Sequence, residues 1–181
     1  FDVCIGYAYK QTPRVEQKFI NQQPLKITHK HGNLIEEIDT TQYEEDFSII
    51  INLKTFGQIQ CDLSTLIQLE NDDDIFPWVV RLDDLEVFLL TLMARKQKPE
   101  KLVEFLLMRE LLHGKLICTD ELEVCGAFLN KKLNQKKIDY ADAIATTPDL
   151  ADIFDEQYRK TMGFKNEKYL YEKQSGKFMF Y

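Results

Sequence analysis

The sequence predicts an α+β fold, and three observations carry that reading. β-branched and aromatic residues crowd the N-terminal half in short blocks, at residues 1–9, 25–29 and 47–54. From residue 82 onward apolar residues recur at helical spacing, between residues that start and stop helices. The strand-like blocks come first and the helical ones follow, rather than alternating as in a parallel α/β sheet. The expected architecture is a mixed β-sheet from the N-terminal half, packed against four α-helices and joined by a C-terminal β-hairpin. Residues 1–133 are expected to form the core domain, and residues 134–181 an extension packed on it.

Residues 1–9 read as a strand. Residues 10–23 are polar, with Pro13 and Pro24 acting as breakers. Leu25 to His29 alternate apolar and polar, the signature of a half-buried strand, and Gly32-Asn33 reads as the turn after it. Residues 34–46 are acidic and carry no clear period. Phe47 to Lys54 contain an isoleucine run suited to a central strand, which Gly57 ends. Asp62 is placed to cap a short helix at residues 63–69, and residues 71–74 form an acidic loop. Residues 75–81, around Trp78, read as a buried strand.

The first long helix starts after it. Asp83 and Glu86 match a capping box, and Leu85, Phe88, Leu89, Leu92 and Met93 share core spacing up to about Lys96. Pro99 suits the first position of the second helix and Gly114 the residue past its end. Between them Leu102, Val103, Phe105, Leu106 and Leu112 form an apolar face. Thr119 is expected to cap the third helix, with Asp120 and Glu121 in its first turn and Lys131 and Lys132 in its last, as the helix dipole favours. Its apolar face is Leu122, Cys125, Leu129 and Leu133. Residues 135–146 are weakly patterned. Thr147-Pro148 opens a fourth helix ending near Gly163. Tyr169, Tyr171, Phe178 and Phe180 flank Gln174-Ser175-Gly176 as a hairpin.

Composition narrows function by exclusion. A hydrophobic content of 44% and a charged content of 29% fit an ordinary globular domain, and a net charge of -7 argues against a general nucleic-acid binder. Cys4, Cys61, Cys118 and Cys125 lie in apolar contexts without a CxxC pair, so they read as reduced core residues of a cytoplasmic protein. No apolar run is long enough to span a bilayer. The chain opens at Phe1 inside an apolar segment, so the sequence is expected to be a piece of a longer polypeptide.

The motifs that carry chemistry are sparse. Asn52-Leu53-Lys54 ends a strand, with Asp2 and Asp46 upstream, which is the outline of a metal-dependent nuclease. The position that should hold the second carboxylate is an amide, a poor ligand for a hard cation. His29 and His31 are two apart, so one strand face could carry both imidazoles, but zinc needs further ligands and Asp39, Glu44 and Glu45 have no telling spacing. His113 precedes Gly114 at a helix C-terminus, where an imidazolium would suit the dipole. Cys118 and Cys125 lack an adjacent base. Asp72, Asp73 and Asp74 lack the spacing of an EF-hand loop. Ser48, Ser64 and Ser175 stand outside any nucleophile elbow, and the seven glycines build neither a dinucleotide fingerprint nor a phosphate loop. At the C-terminus, aromatics alternate with Lys165, Lys168, Lys173 and Lys177. That pattern suits a hairpin packed on the helices, an interface, or stacked bases, in that order.

Four blocks together resemble the C-terminal region of large uncharacterised bacterial proteins, some of which carry a nuclease-like segment upstream. They are Phe1-Asp-Val-Cys-Ile-Gly6, Asp46-Phe-Ser-Ile-Ile-Ile-Asn-Leu53, Pro77-Trp-Val-Val-Arg-Leu-Asp-Asp-Leu-Glu-Val87, and Thr119-Asp-Glu-Leu-Glu123 with Gly126 and Leu129. The resemblance spans residues 1–133 and rests on strand ends and helix caps. It implies that Asn52 to Lys54 belong to a structural strand. The expectation is a cytoplasmic, non-catalytic accessory or protein-interaction module of a larger polypeptide. No catalytic residue, metal or cofactor is expected, and the partner is a protein or another domain of the same chain, not a membrane. The alternative is a nuclease-related protein whose active site is degenerate here or lies upstream.

Overall fold

The computed structural model describes residues 5–54, 56–69 and 75–167. It is an α+β fold of several helices and small sheets, and its contacts divide it into two units, residues 1–50 and 51–181. Among the described residues the strands form three two-stranded sheets, not the single mixed sheet expected from the N-terminal half. All the described strands are two to five residues long, and each pairs with a single neighbour.

In the first unit the described residues begin helically. Residues Tyr7–Tyr9 form a turn of helix, α1, where a strand was expected, and Thr12–Ile20 form α2. Pro13 lies in the first turn of α2, where the missing N–H costs nothing, so it starts this helix rather than breaking it. The expected strand and turn are present beyond it. β1 (Leu25–Thr28) pairs antiparallel with β2 (Leu34–Ile38), and the turn closes through His29 N to the Asn33 carbonyl at 2.8 Å. Gly32, at φ +85°, supplies the left-handed turn residue. A 3-10 turn, Thr40–Gln42, follows. It is capped by Asp39, whose carboxylate accepts from Thr41 and Gln42 and is held below its ordinary pKa by those bonds.

β3 (Ile49–Asn52), whose last two residues open the second unit, pairs with β4 (Trp78–Arg81). A short helix, α3 (Gln58–Cys61), lies between them in sequence. Asp62 does not cap a helix at residues 63–69. It accepts from the Ser64 N–H in a turn instead. The main body is helical: α4 (Leu82–Ala94), α5 (Glu100–Glu110), α6 (Glu121–Leu129), α7 (Gln135–Tyr140) and α8 (Asp152–Thr161), with a parallel pair of short strands, β5 (Leu116–Ile117) and β6 (Ile144–Ala145).

Helix caps follow the predicted residues in part. Asp83 is drawn to Arg81 in a short contact, so α4 starts without a side-chain cap. Asp120 rather than Thr119 caps α6, accepting from Leu122 N at 2.8 Å. Thr119 instead donates through its hydroxyl to Glu123, which also accepts from the Thr146 hydroxyl at 2.8 Å. Thr147-Pro148 opens a 3-10 turn (Pro148–Ala151) that runs into α8, which ends at Met162 before Gly163. The expected hairpin around Gln174 lies outside the described residues.

The core of this unit is an aromatic cluster. Trp78, Phe88, Phe105 and Phe128 meet edge to face or tilted, with ring centroids 4.7 to 6.1 Å apart, the arrangement favoured by the ring quadrupoles. Met93, expected at core spacing, is exposed, because it lies beyond the buried arc of α4. Gly126 lets the Pro148–Ala151 turn approach α6 directly. A Cβ there would stand 1.9 Å from the Leu150 carbonyl oxygen.

Candidate functional site

Helix α5 carries the two features that bear on function, one on each side. Its inner side places Arg109 against the aromatic core, in line with Phe105 and Leu112, and the arginine is 1% exposed. The Arg109 Nε donates to Glu121 Oε1 at 2.7 Å and Nη2 to Oε2 at 3.2 Å, a two-point fork. Nη2 also makes a short bond to the Cys61 carbonyl. Trp78 Nε1 donates to the same Glu121 Oε1 at 2.8 Å, and Glu121 is fully buried. Burial works against the charge on Arg109, and the facing Glu121 carboxylate outweighs it and raises the pKa. Strand β4, helices α3 and α5 and the start of α6 therefore meet on one ion pair.

His113 extends this cluster. Its Nε2 lies 3.4 Å from Arg109 Nη1, and its Nδ1 lies 3.7 Å from Asp62 Oδ1. A guanidinium has no lone pair to offer, so Nε2 must be the accepting, unprotonated nitrogen. Burial, and next the Arg109 charge, lower the His113 pKa to about 3. The expected imidazolium at the end of α5 is thus a neutral imidazole, its ring tilted against Phe76 at 4.8 Å between centroids. Asp62 turns elsewhere. It accepts from the Ser64 and Gly114 N–H groups at 3.0 and 3.1 Å. Burial opposes its charge, but these bonds prevail and lower its pKa.

The Asp62–His113 pair has the outline of a catalytic dyad and lacks its chemistry. A working base needs its free nitrogen aimed at a nucleophile or a substrate proton. Here that nitrogen faces Arg109, so accepting a proton would set two cations side by side. The nearby thiols do not help. Cys61, Cys118 and Cys125 are free and buried. The neighbouring Cys118 thiol and burial push the Cys61 pKa up, away from the reactive thiolate. Burial does the same for Cys125.

The outer side of α5 is inverted in the other sense. Val103, Leu107 and Leu111 follow at i, i+4 and i+8, and are 37%, 45% and 41% exposed. Val103, expected in the core, belongs to this outer stripe. Leu107 and Leu111 line an open groove of about 500 Å3, with Met108, Phe128 and Leu133 completing its apolar surface and Glu104 and Glu110 among its polar residues.

The other sequence candidates do not converge. Lys54 is exposed and pairs with no carboxylate among the described residues, and Asn52 is buried with its Nδ2 lacking a partner there. Asp46 is exposed in the first unit, and Asp2 lies outside the described residues. His29 and His31 stack at 5.4 Å, but in the turn after β1 rather than on a strand face. No group of three potential metal ligands occurs among the described residues. Ser48 donates to Glu16 at 2.9 Å. Asp72 to Asp74, Ser175 and the C-terminal aromatics from Tyr169 on lie outside the described residues.

Arg109 and Glu121 escaped the sequence reading, although one signal was present: an arginine in the middle of the apolar face of a helix. No helix among the described residues is long and apolar enough to cross a membrane. Comparison with family models, curated proteins and solved structures finds no match to the chain.

Proposed function

We propose that this chain is a non-catalytic interaction module of a larger, cytoplasmic bacterial polypeptide, akin to the C-terminal regions it resembles. The single observation behind this reading is the exposed stripe Val103–Leu107–Leu111 on a helix whose inner side is fully packed. Isolated surface leucines need no explanation, but a continuous row bordering an apolar groove is what a docking helix presents. The buried charges support the same reading from the other side. Arg109 is spent on Glu121, the free nitrogen of His113 faces Arg109, and Asp62 is held by the Ser64 and Gly114 N–H groups.

The test has two parts. Incubation with manganese and supercoiled or single-stranded DNA is expected to give no cleavage. Cleavage abolished by Lys54→Ala would revive the nuclease alternative. Display selection of helical peptides on the chain should then enrich sequences whose binding is lost on the Leu107→Asp/Leu111→Asp double variant. Peptides that bind both proteins equally would show that this face is not the interface.

A further inference from the structure

We infer that the groove beside α5 takes an amphipathic helix of a protein partner whose two flanks carry opposite charges, basic toward α5 and acidic toward the α6–α7 connection. This rests on the docking role proposed above and specifies its partner.

The argument is one of charge complementarity across an apolar seam. One wall is α5, which lines the groove with Glu104 and Glu110 beside Leu107 and Leu111 and carries Glu100 in its first turn. The opposite wall is the segment after α6. Leu133, Asn134 and Gln135 line the groove there, and Lys131, Lys132, Lys136 and Lys137 flank them in sequence, all four exposed. These four lysines fall within seven positions of a chain whose net charge is -7, so the positive patch is local. The α5 wall already holds one cation. The Lys101 ammonium lies 2.6 Å from Glu104 and 4.4 Å above the Phe128 ring centroid. That pair is exposed enough for a partner's lysine or arginine to exchange with it.

A helix fits better than an extended strand. The stripe repeats every turn and, at the usual rise per residue, covers about 12 Å, which a partner helix matches with residues at i, i+3, i+4 and i+7. A single-stranded nucleic acid fits worse. Its phosphates would suit the lysines, but the α5 carboxylates repel them, and the groove offers one aromatic ring where base stacking wants several. Because the two walls differ in sign, the charges also set the direction of the bound helix. Exchanging the flanks of a partner reverses its polarity along the groove instead of abolishing binding.

The probe is a synthetic helix with leucines at i, i+3, i+4 and i+7, lysines along one flank and glutamates along the other, titrated onto the full chain by fluorescence anisotropy at low salt. Two controls carry the same leucines with both flanks lysine or both flanks glutamate. The striped peptide is expected to bind about tenfold more tightly than either control, the size of effect that rim charges exert together. The Lys132→Glu/Lys136→Glu variant should reverse this and prefer the all-lysine peptide, a gain of binding that a misfolded protein cannot give. Equal binding of all three peptides, lost with Leu107→Asp/Leu111→Asp, would overturn the charge assignment and leave the docking role intact. Binding of none, with no stripe-dependent peptide from display, would overturn both. Self-association abolished by the leucine variant would assign the groove to a second copy, and lysine-dependent capture of an oligonucleotide would assign it to nucleic acid. Either result would overturn this proposal.

Discussion

The two sides of helix α5 invert the usual rule. The inside carries a charge and the outside carries leucines. Inside, Arg109 is tolerable because Glu121, the Cys61 carbonyl and His113 Nε2 accept from its donors, while Trp78 donates to the same Glu121 carboxylate. Outside, Val103, Leu107 and Leu111 have no such answer among the described residues. The contrast separates two kinds of exception. A buried charge that is fully paired explains itself from within the fold, and its role is to hold elements together. An exposed apolar row does not explain itself, and so it points to something beyond the fold.

The largest expected effect breaks the inner side. Glu121→Leu leaves a guanidinium buried without its counter-ion, and urea denaturation should show a loss of about 3–5 kcal/mol. Adding Arg109→Met to that variant should recover part of the loss, since no charge is then left unpaired, although Trp78 Nε1 and the Cys61 carbonyl lose their partners. If the double variant is as unstable as the single one, the carboxylate is needed for packing rather than for charge.

Acid should act next in size. The folded pKa of His113, about 3, lies below the ordinary value of 6.5, so the unfolded chain binds a proton that the folded chain refuses. Stability therefore rises with pH between those values and falls as the protein is acidified through them. The slope approaches about 1.4 kcal/mol per pH unit, giving about 3 kcal/mol lost on going from pH 7 to pH 4. Below about pH 4 the depressed pKa of Asp62 adds to the loss in the same direction. His113→Gln keeps an acceptor for Arg109 without the titration, and its stability should be flatter from pH 6.5 to pH 4. A slope unchanged in that variant would mean that other groups set the acid limb.

The smallest effect is expected on the outer side. Leu107→Asp/Leu111→Asp should change stability by no more than about 0.5 kcal/mol per site, as surface substitutions do. A loss of several kcal/mol would show the stripe to be part of the core, and the contrast drawn here would vanish.

Much of the helical half was legible in the sequence. Apolar spacing located α4, α5 and α6, and Thr147-Pro148 with Gly163 bracketed α8, whereas α5 ends at Glu110 with Leu111 as its cap, so Gly114, at φ +78°, lies in the turn beyond it rather than directly at its end. The Gly32-Asn33 turn was equally plain. The N-terminal helices were not. Aromatic and β-branched residues in the first block suggested a strand, and Pro13 was weighed as a breaker although a proline in the first turn is also a helix start. The expected single sheet failed for a different reason: strand type is local, but which strands pair is settled by contacts far apart in the chain. The same holds for the site. Glu121 looked like an ordinary first-turn acid suited to the dipole, and nothing near it in sequence announces Trp78, forty-three residues earlier. The outer stripe was hidden by the opposite problem. Leucine and valine occur on both sides of α5, among charged residues, so periodicity alone could not tell which of them faced inward.

At Gly126 a backbone carbonyl, not a side chain, occupies the notch in the helix. Recognition there is by main chain, and main chain has no identity to mutate. The carbonyl contact itself therefore does not depend on which side chain residue 150 carries, although Leu150 is held by the burial of its own side chain. The two partners are constrained in different ways: the helix by the absence of a Cβ at one position, the turn by its trace and by Leu150.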